Sequence, residues 1–455
     1  MKHYIQPAAE AVDAPTVVVE KAKNGEWTSY VNVEGSAPFY MHSRYDPIVE
    51  AQRFSQAHIQ HILKGEYDRI IIYGAACCHH VKEILQDTAL QQLEIEVWET
   101  NCGLFQQNEQ RGVYASVWDD PRIRFIVADS LHIFSQRVEL WNDENVYVIV
   151  HEPSLKAMPK TLEQLKSVLK DYQIHQNSVL AFHDLLLENF ERNTQKKWPS
   201  LSPFQDKFHV PILLVSAGPS LEKSLPHLAV ASKHCLIGAV GTALKPLLLR
   251  NIRPDFVVMT DPKPEMVKQI SGVEQEQIPL FFLSTACSEV VEQYSGPKFI
   301  LYQEGYPFAE QEAMKHGEIL VKTGGSVSTT LFSLARILGC HPICLIGQDL
   351  AYTNNQTHME GTPLYRQWTQ DVKGELVTSF DRKGSVIAPR NLLLYKKWFE
   401  EQARNAEEVF YNATEGGAYI EGFHHLALVD FIEMQQGFNA VDARRSVHSI
   451  IQEYS

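Results

Sequence analysis

The feature that most restricts how this chain can fold is a recurring unit. It consists of a short apolar run, a small or acidic residue at its carboxyl end, and then a stretch with helical spacing. Such runs occupy 67–74, 93–99, 124–129 and 146–150, and again 210–215, 235–239, 255–262, 279–283, 298–302 and 342–346. Largely apolar runs, without a strict alternation of polar residues, suit a parallel sheet covered on both faces. Strands separated by helices imply a doubly wound α/β arrangement. With 455 residues the chain exceeds what one hydrophobic core usually organises, so two or three domains are expected. A stretch rich in proline, serine and charge at 193–203 marks the boundary. The division is then 1–65, a β/helical extension; 66–195, a Rossmann-like domain; 205–390, a catalytic domain; and 391–455, a helical segment packing on it.

Composition removes several function classes. The net charge is −14, from 55 acidic and 41 basic residues, which disfavours non-specific nucleic-acid binding. No apolar run reaches the roughly 18 residues of a membrane span. The N-terminus has no charged-then-apolar leader pattern. Seven cysteines, two of them adjacent at Cys77 and Cys78, form neither an even framework nor a zinc-type pair, so reduced thiols are expected. The expected location is the cytoplasm.

In the first domain the turn after 70–73 reads Gly74-Ala75-Ala76-Cys77-Cys78-His79, and Glu99 follows about 25 residues later, where a ribose-binding acid would stand. Two of the three glycines of a dinucleotide turn are missing, so a structural or partner-binding role is expected instead. His79 and His80 are read as a solvated helix start, not a metal site.

The second domain concentrates polar residues at strand ends. Gly218-Pro219-Ser220 opens a helix, with Gly218 permitting close approach, Pro219 setting φ and Ser220 available as a cap. Thr242 follows another strand, and Asp261 a third. The stretch 321–361 supplies a turn at Gly324-Gly325-Ser326, a helix from about 328 to 338, a buried strand, Gly347, Asp349 and Tyr352, and then His358 in a polar loop. Ligands of parallel sheets bind outside the carboxyl ends of strands, and helix starts favour anions, so these turns could hold a phosphate or a carboxylate. From 359 to 384 the polar composition suggests a lid, and Glu415 sits in a further glycine-bearing turn. The phosphate loop, the zinc-protease helix, the nucleophile elbow and the D-x-D metal motif are all absent.

Taken together, the segments 216–221, 256–262, 347–352 and 413–418, with His42-Ser43-Arg44-Tyr45-Asp46-Pro47 ahead of the first domain, resemble the motility accessory factor (Maf) flagellin glycosyltransferases. The resemblance runs over essentially the whole chain. Its central part is similar to the MptE-like family, which includes archaeal 6-hydroxymethylpterin diphosphokinases, and to bacterial sialyltransferases. It implies two Rossmann-like parallel-sheet domains, the central one sialyltransferase-like, and a C-terminal helical segment. It also implies transfer of a nonulosonic acid of pseudaminic, legionaminic or sialic type from a CMP-activated donor to Ser or Thr of flagellin, needed for flagellum assembly and motility, with neither metal nor cofactor. On these positions Gly218, Pro219 and Ser220 would border the CMP phosphate or ribose, with Thr242, Gly324 and Gly347 nearby. Asp261 falls where the sialyltransferases carry an asparagine. Gly325 and Ser326 would receive the sugar carboxylate, Tyr352 would reach the phosphate, and His358 would be the general base. Asp349 or Glu415 would face the positive charge that develops at the anomeric carbon. The alternatives are a pterin-type diphosphokinase and a non-enzymatic flagellin-binding export factor.

Overall fold

The computed structural model describes residues 3–6, 15–32, 37–63, 65, 67–139, 146–199, 201–367 and 374–454. They form two compact units, 1–181 and 182–455.

Unit 1 contains β1 (Tyr4–Ile5), β2 (Thr16–Lys21), β3 (Trp27–Asn32), β4 (Phe39–Tyr40), α1 (Pro47–Ile62), β5 (Arg69–Tyr73), α2 (His79–Gln86) and β6 (Glu94–Glu99). There follow α3 (Cys102–Gln110), α4 (Ala115–Trp118), β7 (Ile123–Val127), α5 (Leu131–Glu139), β8 (Val146–Val150), α6 (Glu152–Lys156) and the first part of α7 (Glu163–Thr194). The parallel sheet runs β1-β7-β6-β5-β8, and β2-β3-β4 form a separate antiparallel sheet. Both faces of the parallel sheet are covered. Ile70, Ile72, Val97 and Phe125 join one core, while Ile71, Tyr73, Trp98 and Ile126 join the other. This explains why these strands read as unbroken apolar runs.

Unit 2 takes over within α7 and continues with β9 (Ile212–Val215), α8 (Leu221–Ala231), β10 (Leu236–Val240), α9 (Gly241–Leu248), β11 (Phe256–Met259), α10 (Val267–Ile270), β12 (Leu280–Leu283) and α11 (Ser288–Gln293). Next are β13 (Lys298–Gln303), α12 (Pro307–His316), β14 (Leu320–Val321), α13 (Val327–Ile337), β15 (Ile343–Ile346), β16 (Glu375–Thr378) and β17 (Ser385–Ala388). The chain closes with α14 (Arg390–Arg404), β18 (Phe410–Asn412), β19 (His424–His425), α15 (Leu428–Met434) and α16 (Ala440–Tyr454). The nine-stranded sheet runs β14-β13-β12-β11-β10-β9-β15-β18-β19 and is parallel throughout.

Leaving aside β1, which adds to the edge at β7, the chain in both sheets builds outward from one strand, β5 or β9, and then returns to that strand's other side. That reversal falls between β5 and β8 in unit 1 and between β9 and β15 in unit 2. The crevice beyond the strand ends at such a reversal is where doubly wound folds place ligands.

Several expectations need correction. The compact units part at 181/182, ahead of the proline-rich stretch, because α7 runs for 32 residues with no glycine or proline to stop it. The segment 391–455 is not helical alone, since β18 and β19 extend the large sheet. Their runs of three and two residues are too short to leave a periodic signal. His79 and His80 are buried, not solvated. The expected lid contains β16, the first strand of the antiparallel β16–β17 hairpin, and 368–373 lie outside the described residues. All seven cysteines are free and buried. Among the described residues no helix is long and apolar enough to cross a membrane.

Candidate functional site

Strand β9 runs into Ser216-Ala217-Gly218, and β15, beside it, runs into Gly347-Gln348-Asp349. The two turns are tied together. Gly218 donates its amide to the Gly347 carbonyl at 2.9 Å, and the Ser216 hydroxyl donates to Gln348 Oε1 at 2.6 Å. A Cβ on Gly218 would stand 2.0 Å from Asp349 Oδ2 and 2.5 Å from the Gly347 carbonyl, so only glycine fits.

Asp349 is 3% exposed and fully engaged. Its Oδ2 accepts from Ser220 Oγ at 2.6 Å, its carboxylate from the Ser220 amide at 3.3 Å, and its Oδ1 from Thr353 Oγ1 at 2.5 Å. Burial lifts its carboxyl above the ordinary range, while the bonds from Ser220 and Thr353 work against that rise. The carboxylate therefore occupies the start of α8, where an external anion was expected. Ser220 does not cap the helix with its side chain; its hydroxyl donates to Asp349 instead.

A cavity of about 240 Å³ opens in front of this junction. Of the expected residues, Gly218, Thr242, Ser326, Gly347, Asp349, Tyr352 and His358 line it. Pro219, Ser220, Asp261, Gly324, Gly325 and Glu415 do not. Glu415 lies apart for a clear reason. Its Oε1 accepts from the Leu428 amide at 3.0 Å, capping α15, and its carbonyl accepts from Lys223 Nζ at 2.8 Å. Asp261 turns back to accept from the Lys263 amide at 3.0 Å. Gly324 lies behind the wall, where a Cβ would meet the Trp398 indole at 2.5 Å.

Helix α13 begins at the cavity. Ser326 is its N-cap, in a reciprocal capping box with Thr329, and Ser326, Val327 and Ser328 all line the space. The amides of Val327 and Ser328 have no acceptor within their own helix and carry the positive end of its dipole. Among the described residues no lysine or arginine lines the cavity, and the donors they offer an anion are amides and hydroxyls.

His358 is positioned by its neighbour. The Met359 amide donates to the Ala217 carbonyl at 2.9 Å, which draws the loop back over the β9 turn. The His358 Nδ1 is buried with no hydrogen-bond partner. Burial lowers its pKa below the ordinary 6.5, and a bond to the Leu364 backbone only partly offsets this. The ring is therefore neutral at neutral pH, and among the described residues nothing bonds its Nδ1. Burial raises the Tyr352 phenol, which stays protonated and able to donate.

Some lining residues were missed from the sequence: Gln348 and Ser328, and from the last part of the chain Asn391 and Tyr395. The last two sit four apart on α14, a spacing that puts them on one helix face. Their connection to the site comes only through tertiary packing.

Residues 184–355 match the family described as 6-hydroxymethylpterin diphosphokinase MptE-like, which begins close to where unit 2 begins. No curated protein matches the chain. Among solved structures, the MAf glycosyltransferase from Magnetospirillum magneticum AMB-1 superposes with a TM-score of 0.53 at 14% identity, over 97% of this chain and 74% of that one. The resemblance seen in the sequence thus holds for the fold, and the chain combines the architecture of a Maf glycosyltransferase with an MptE-like segment at its centre.

Proposed function

We propose that the chain is a glycosyltransferase that moves a nonulosonic acid from a CMP-activated donor to Ser or Thr hydroxyls of flagellin. The observation that carries this reading is that His358, whose buried Nδ1 has no partner among the described residues, lines a cavity beside the α13 helix start at the sheet's reversal. In the proposed step the acceptor O–H gives its proton to Nδ1 while its oxygen bonds to the anomeric carbon. The bond from that carbon to the phosphate oxygen breaks, and CMP leaves with the electron pair. The start of α13 receives the sugar carboxylate, and the Tyr352 and Thr242 hydroxyls face the phosphate. Asp349 serves by holding the α8 turn in place, because its oxygens are already engaged. The protein would act in the cytoplasm, on the donor and flagellin alone, without a cofactor.

Co-expression of the chain with flagellin and a CMP-nonulosonate pathway tests this. Intact-mass spectrometry should show flagellin heavier by whole sugar residues, and an unchanged mass would sink the reading. The family description favours a second reading, pyrophosphoryl transfer to a hydroxymethylpterin. That chemistry uses magnesium between phosphates, and Asp349 and Asp261 do not present free carboxylates to one point in the cavity. Incubation with ATP, magnesium and 6-hydroxymethylpterin should accordingly yield no diphosphate product.

A further inference from the structure

The ligand crevice of unit 1, between the ends of β5 and β8, is not empty. Glu99, at the end of β6, fills part of it by accepting from the Ala75 amide at 3.0 Å, the Ala76 amide at 3.3 Å and the Asn101 amide at 2.8 Å. Beside the Gly74 turn, three histidines converge. His42 comes from the segment before α1, His80 from the first turn of α2, and His151 directly follows β8. They are 2%, 1% and 4% exposed, and one nitrogen from each ring lies within 4.8 Å of the others. Among the described residues this is the one group able to hold a metal ion.

We infer that His42, His80 and His151 form a binding site for a divalent first-row cation of the zinc type, held in the crevice of unit 1. The hydrogen bonding around the rings carries the argument. A metal-binding histidine normally commits its other nitrogen to a fixed partner, which sets the tautomer and aims the lone pair. His80 and His151 have such a partner, and His42 has a carboxylate close by. His80 Nε2 lies 2.9 Å from the Gly74 carbonyl, which fixes its proton there and leaves the lone pair on Nδ1. His42 Nδ1 lies 3.6 Å from Glu50 Oε2, and His151 Nδ1 is 2.7 Å from Ser154 Oγ, while the His151 ring also bonds the Met41 backbone, a contact the ion would replace. His42 Nε2 and His80 Nδ1 are both buried, with no hydrogen-bond partner among the described residues. Two orphaned imidazole nitrogens in one apolar place are costly unless something binds them. Nitrogens bound to one tetrahedral zinc sit roughly 3.3 Å apart, so the rings close inward by about an ångström or more on binding. The fourth position goes to water, and the ion ties the N-terminal segment to two strand ends of unit 1.

The full chain, purified without a histidine tag and stripped with chelator, should be titrated with zinc against a chromophoric competitor and with cobalt by absorption. A single ion per chain is expected, with a four-coordinate cobalt spectrum and a rise in Tm. His80→Ala and His151→Ala should each weaken zinc binding by about a hundredfold or more, and the milder Ser154→Ala by about 10- to 100-fold. His79→Ala, whose ring bonds the Trp27 carbonyl, should bind like the wild type. If the alanine variants do not fold, Ser154→Ala and the cobalt spectrum decide. Absence of stoichiometric uptake by the wild type, or unchanged affinity in Ser154→Ala and His80→Ala, would overturn the site. A cobalt–thiolate band would also overturn it, by placing the metal on Cys77 or Cys78.

Discussion

Gly218 and His358 show two ways in which a single residue decides the fate of this site. At Gly218 the constraint is space, since any side chain collides with Asp349 and with the Gly347 carbonyl. Gly218→Ala should lower stability by about 1–3 kcal/mol, as overpacked cores do, which urea unfolding of the purified chain would show. At His358 the constraint is protonation. His358→Ala should lose about 10²–10⁴ of the transfer rate with an unchanged melting curve. The sign of the pH dependence follows from the depressed pKa. The base form is the active one, and burial keeps the ring deprotonated below 6.5, so activity should persist as pH falls through 6.5 and fail only further down. A rate–pH profile whose acid limb sits above 6.5 would contradict His358 as the base.

Helix starts make the same point one level up. That of α13 opens on the cavity, while those of α8 and α15 are closed by Asp349 and Glu415. Ser326→Ala should cost about 1 kcal/mol of stability through the lost cap and raise the KM for the anionic donor. Glu415→Gln should cost a comparable amount in the melting curve, yet leave kcat and KM where they were. Much of this architecture was legible in the chain. The apolar runs ending in glycine or acid placed the strands, and the turn at Gly324-Gly325-Ser326 marked the right helix start. Sequence could not show where each carboxylate points. Asp349, Asp261 and Glu415 stand in similar turns, but their roles are set by which amides tertiary packing brings within reach. Asn391 and Tyr395 reach the cavity only because α14 packs there, and nothing in a single sequence ranks that face above the others.

Across the molecule the two units repeat one arrangement. Each has a parallel sheet that reverses direction, and in each a turn beside the reversal is stopped by the chain's own acid, Glu99 on the Ala75 and Ala76 amides and Asp349 on the Ser220 amide. The large sheet keeps an open cavity next to its stopper; in unit 1 the adjoining space is packed with histidines. Glu99 can thus be seen as a tethered guest in a receptor made of backbone amides, present at an effective concentration no free anion reaches. Cutting the tether should leave the receptor. Glu99→Ala should melt well below the parent in dilute buffer and regain Tm as acetate or phosphate is added, along the saturation curve of a bound ligand. Chloride at equal ionic strength should do far less. The stability of unit 1 would then be set by the medium, a dependence the intact side chain removes.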